Sequence, residues 1–105
     1  MSDLEMFDKR ESSEIGKALT DLDKYFRNYM VEYDEYGFAH SPISDLIYSY
    51  FFGDITAKKV FSQILCVLSN YDMIIYNRET EKYKTYLDRK IVTKLNKIKK
   101  LISFN

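Results

Sequence analysis

A chain of 105 residues with 46% apolar and 30% charged residues is long enough for one modest hydrophobic core and too apolar to stay disordered. One Cys and one His exclude an internal disulfide and a protein zinc site, and no apolar run approaches the roughly 20 residues that span a bilayer. The formal charge sums to zero, yet residues 1–56 hold twelve acids and five bases, and residues 57–105 hold four acids and eleven bases. A basic surface can therefore sit on one side of a neutral molecule, or the two halves can attract each other within the fold. The opening MSDLEMFDKRE is polar and mostly acidic, unlike a signal peptide, and a soluble cytoplasmic protein is expected.

Residues 1–12 show no sustained periodicity and read as a mobile arm ahead of a single domain spanning 13–105. The longest helical signal follows, from Ser13 to about Tyr36. Ser12 or Ser13 is placed as N-cap and Glu14 sits in the first turn, where it favours the helix dipole. Ile15, Leu19, Leu22, Phe26, Tyr29, Tyr33 and Tyr36 recur at alternating steps of four and three. That narrow stripe suits either a long helix laid across the core or a homodimer seam. Gly37 is expected to end the helix as its C′ residue. Ser41 as N-cap and Pro42 at the first helical position open a second helix, whose buried side is Ile43, Leu46, Ile47, Tyr50 and Phe51. His40, in the link before it, reads as a surface residue rather than a ligand.

Gly53-Asp54 then makes a turn, and Asp54 or Thr56 caps a third helix over 56–70. Val60, Ile64, Val67 and Tyr71 repeat at helical spacing, and the opposite face carries Thr56, Lys59, Gln63, Cys66 and Asn70. The stretch 73–87, MIIYNRETEKYKTYL, has two β-branched and aromatic arms around a charged tip, the pattern of a hairpin. Asp88 can cap a final helix with Ile91, Leu95, Ile98 and Ile102 as its stripe. Six bases and no acid follow Asp88. A different assignment is also open. No Gly or Pro occurs after Gly53, and a continuous helix from about Glu79 to Phe104 would make an all-α bundle.

The order helix, helix, Gly-containing turn, helix, hairpin, helix resembles the small winged helix-turn-helix regulators of prokaryotic viruses and plasmids. The resemblance rests on Gly53 and Asp54 in the turn, Thr56 to Asn70 as recognition helix and Met73 to Leu87 as wing. It implies a mainly α fold with a small β-hairpin, a long first helix and an added C-terminal helix. It also implies a homodimeric transcriptional regulator that binds double-stranded DNA. Thr56, Lys59, Ser62 and Gln63 would then face base edges in the major groove, and Lys58, Arg78, Lys82 and Lys84 would meet phosphates. Ile15, Leu19, Leu22, Phe26, Ile98 and Ile102 are the expected dimer interface.

The chain offers no catalytic constellation, no Gly-rich phosphate loop and no metal-ligand cluster, so neither an enzyme nor a cofactor is expected. A second class of function is a small viral or plasmid-borne protein that binds and inhibits a host protein. Its surface would be the acidic, Tyr-rich first helix with Tyr25, Tyr29, Tyr33, Tyr36, Asp34 and Glu35, since aromatics are enriched at interface centres. A basic last helix lying on an anionic membrane is a third, but packing against the acidic first helix explains its stripe more simply.

Overall fold

Ser13 has extended backbone, and its hydroxyl oxygen accepts the Gly16 N–H at 3.0 Å. This N-cap fixes the corner between the first two helices of the computed structural model, which describes residues 3–27, 32–33, 35–71, 74–77, 79–80, 82–85 and 89–103. Helix α1 (Asp3–Ser12) leads into α2 (Glu14–Phe26), then strands β1 (Glu32–Tyr33) and β2 (Ala39–His40). Helices α3 (Pro42–Phe51) and α4 (Ala57–Asn70) follow, then β3 (Ile74–Asn77), β4 (Lys82–Thr85) and α5 (Arg89–Ser103). The chain is mainly helical, as its composition and periodicity lead one to expect. β1 and β2 pair antiparallel with Glu32 opposite His40. β3 and β4 also pair antiparallel, in the register Ile74–Thr85, Ile75–Lys84, Tyr76–Tyr83 and Asn77–Lys82.

Helix α2 is the centre of the core. It packs on α1, α3 and most extensively on α5, while α4 packs on α3 and α5. Leu19, Leu22 and Phe26 of α2, Ile43 of α3, Val60, Ile64 and Leu68 of α4, and Leu95 and Ile98 of α5 are completely buried. Each such side chain contributes about 1.5–3 kcal/mol of transfer free energy. The caps Ser41 and Thr56 accept N–H groups of Ser44 and Lys59, and Pro42 opens α3, as the sequence predicts. Asp23, on the buried face of α2, accepts the Ser44 hydroxyl and lies 3.0 Å from the Arg27 guanidinium, so this carboxylate is partnered on both oxygens. Lys94 of α5 reaches Asp21 of α2 and lies 5.8 Å from the Tyr25 ring centroid. The acidic and basic halves do meet inside one molecule.

Three expectations are corrected. The arm is not loose: residues 3–12 form α1, whose Phe7 ring lies 4.9 Å from Phe52 and 5.2 Å from Phe51 between centroids. Few apolar residues mark this helix, and tertiary packing of one aromatic supplies what local pattern lacks. The long helix stops at Phe26 with Arg27 as C-cap, and part of its expected continuation forms β1. Tyr33 and Tyr36 are 72% and 77% exposed, so the heptad stripe finds no surface to cover it there, and aromatic residues pair readily as strand. Gly37, at φ +83, lies in the β1–β2 connection rather than capping a helix. Finally, the expected dimer seam is core. Ile15, Leu19, Leu22, Phe26 and Ile98 are buried within the single chain, and Ile102 is half-buried against that core. The two narrow stripes cover each other, because α2 and α5 are partners.

Candidate nucleic-acid interface

The turn between α3 and α4 is built by Gly53, whose φ of +87 is open to glycine and strained for other residues. The Gly53 N–H donates to Tyr50 O at 3.0 Å and the Asp54 N–H to Ser49 O at 2.9 Å, closing the end of α3. A clamp from α1 holds this turn. Arg10 Nη1 donates to Tyr50 O at 2.7 Å and Ile55 O at 2.9 Å, and its guanidinium carbon sits 4.6 Å from the Tyr50 ring centroid. A cation is thus placed at the negative end of α3, and the start of α4 is fixed relative to both preceding helices.

Helix α4 buries Val60, Ile64, Leu65 and Leu68 and exposes Lys58, Lys59 and Ser62. Thr56 is exposed, and its hydroxyl oxygen accepts the Lys59 N–H at 3.1 Å, which makes it first of all a cap. Lys58 and Lys59 lie in the first turn, which contains no acid. Cations there oppose the helix dipole, at a cost of the order of 0.3–1 kcal/mol each at low salt.

Thr56, Lys58, Lys59 and Ser62 line one side of a cleft of about 390 Å³. Phe61 and Leu65 form its apolar floor, and Lys99, Ile102 and Ser103 of α5 close the other side. Among the described residues no carboxylate lines it. Neither α4 nor α5 contains an acid, while together they carry Lys58, Lys59, Arg89, Lys90, Lys94, Lys97, Lys99 and Lys100. The rim of the cleft is therefore basic, through Lys58, Lys59 and Lys99, on a neutral chain. Lys99 is the contribution that the sequence reading passes over, although the acid-free run after Asp88 carries the signal.

The other candidate residues are not all brought together. Gln63 is half-buried and lies outside the cleft lining. Lys82 and Lys84 belong to β4, opposite Asn77 and Ile75. Arg78 falls outside the described residues, as do Tyr29, Asp34 and the expected cap Asp88. Asn77 Oδ1 accepts the N–H groups of Glu79 and Thr80 at 2.9 and 3.2 Å. This Asx-type turn shapes the β3–β4 connection without the glycine that a tight hairpin prefers. β3 lies against α4 and β4 against α5. On the acidic side, Tyr25 is half-buried beside Phe26, whereas Tyr33, Tyr36 and Phe38 are exposed.

Among the described residues no group of three His, Cys, Asp or Glu is placed to hold a metal ion, and no helix is long and apolar enough to cross a membrane. No protein-family model, curated protein or solved structure matches the chain.

Proposed function

We propose that the protein binds double-stranded DNA as a small winged-helix regulator. In this reading α3, the Gly53 turn and α4 form the helix-turn-helix, and β3 with β4 forms the wing. The observation that carries it is the exposed, acid-free first turn of α4, with Lys58 and Lys59 beside Lys99 of α5. An α-helix fits the major groove, and side chains of its first turns reach base edges. Ser62 and Gln63 serve as base readers, Thr56 closes the helix against the backbone, and Lys58, Lys59, Lys99 and the wing residues Arg78, Lys82 and Lys84 neutralise phosphates. Titration against a selected and a random duplex at several salt concentrations tests the reading. Binding to both at low salt, with log K falling linearly in log salt, is expected. Wild-type protein that binds neither duplex at low salt overturns it.

A second reading, inhibition of a host protein, draws support from Tyr33, Tyr36 and Phe38, each more than 70% exposed. Exposed aromatics of this kind anchor protein interfaces. Recovery of a host protein by wild type, and its loss on Tyr36→Ser, is the result that would favour it.

A further inference from the structure

Two surfaces of this chain are chemically complementary. The first is the connection between β1 and β2, where Tyr33, Tyr36 and Phe38 are 72%, 77% and 71% exposed within six residues. The segment Glu32-Tyr33-Asp34-Glu35-Tyr36-Gly37-Phe38 holds three acids and no base. The second is the α4–α5 cleft, with Phe61, Leu65 and Ile102 as apolar floor and Lys58, Lys59 and Lys99 around it. Its volume of about 390 Å³ is on the scale of small-ligand pockets, enough for one or two aromatic rings. Lysines beside such rings gain a cation–π attraction as well as a charge partner.

We infer that the aromatic hairpin of one copy docks in the lysine-rimmed cleft of a second copy. Local charge favours a second copy as the occupant, because the segment around the exposed Glu35 is acidic and the cleft rim carries Lys58, Lys59 and Lys99. Area favours a reciprocal pair over an open chain. One or two rings taken from water bury about 150–250 Å² each on the hairpin side. One such contact lies well below the size of a specific interface, whereas a two-fold pair makes the same contact twice. The resulting two-fold dimer uses none of the core residues of α2. Its cleft borders the α4 surface assigned above to DNA, so pairing and DNA binding exclude each other. That last consequence alone rests on the DNA reading.

Sedimentation velocity of the full chain, from low to high micromolar and at low and high salt, tests the pairing. A monomer–dimer equilibrium that weakens as salt rises is expected. Tyr36→Ser with Phe38→Ser, and separately Lys58→Glu with Lys59→Glu, alter only exposed or half-exposed side chains and should keep the helical circular dichroism. Each should weaken self-association by about tenfold or more, and mixing the two variants should restore association through the one intact contact. Should either double variant fail to fold, Glu35→Lys alone and with Lys58→Glu replaces it, the first weakening the dimer and the second recovering it. Wild type that stays monomeric at high micromolar concentration in low salt overturns the proposal. So does a dimer that both double variants leave unchanged.

Discussion

Arg10 and Tyr50, forty residues apart, are joined twice: the guanidinium donates to the Tyr50 carbonyl at 2.7 Å and lies over the Tyr50 ring at 4.6 Å. The same nitrogen reaches Ile55 O at 2.9 Å, so one side chain of α1 spans the whole turn between α3 and α4. Charge-assisted hydrogen bonds of this kind contribute about 1.5–3 kcal/mol. Arg10→Ala should therefore lower unfolding stability by about 2 kcal/mol in denaturant titration. Arg10→Lys should recover only part of it, since an ammonium lacks the planar fork. Amide exchange at Gly53 and Asp54 should quicken in both variants.

Gly16 and Gly53 are needed for different reasons, and substitution should separate them. A Cβ at Gly16 would stand 1.9 Å from Arg10 O and 2.6 Å from Glu11 O, backbone atoms that move only if α1 moves. Gly16→Ala should cost about 1–3 kcal/mol or more, as overpacking does, and should loosen the Arg10 clamp. At Gly53 the nearest atom is the flexible Met6 side chain at 3.3 Å. The strain there is in φ, and Gly53→Ala should cost only about 1–2 kcal/mol. Paired chemical denaturation of the two variants reads the difference.

Phe26→Asp and Ile98→Asp place a carboxylate at fully buried positions where α2 meets α5. An uncompensated buried charge costs about 3–5 kcal/mol, a large share of the 5–15 kcal/mol typical of a domain. Loss of the cooperative thermal transition is expected, not a folded monomer. A folded, monomeric Ile98→Asp protein would show that this position is an intermolecular seam after all.

If DNA lies along α4 and the adjoining end of α5, Lys99 acts with Lys58 and Lys59. Each single change to Ala should reduce the slope of log K against log salt by about 0.9. Lys90, about 13 Å along α5 from Lys99, should leave the slope unchanged. Gln63→Ala should instead cost roughly 1–3 kcal/mol at the preferred sequence and little on random duplex. Fluorescence anisotropy at several salt concentrations distinguishes these outcomes.

What could be read from the sequence follows the range of the interaction involved. The Ser13, Ser41 and Thr56 caps, the Pro42 start and the Gly53 turn are decided within one helical turn, and each stands where its residue type places it. The buried stripes of α2 up to Phe26, α4 and α5 are likewise local. Pairing is not. Nothing in a 4-3 stripe says that Leu19 and Leu22 meet α5 of the same chain rather than a copy of themselves. The docking of α1 depends on Phe7 and Arg10 meeting residues about forty positions away, and a short polar helix gives little local sign of that. The approach of Lys99 to Lys58 and Lys59 has the same cause, because like charges on two helices announce no contact.

The covering of α2 by α5 has a consequence for biogenesis. Asp21 and Lys94 are separated by 73 positions, and α2, which carries the completely buried Leu19 and Leu22, packs most extensively on α5, made well after it. While the chain is still growing, that apolar face has no native cover, and Arg10 has no carbonyls to hold until Ile55 has been made. Long-range closure of this kind slows folding and leaves apolar surface exposed in the meantime. Until α5 has been made, the buried face of α2 lacks its most extensive cover, and α5 is the latch that supplies it.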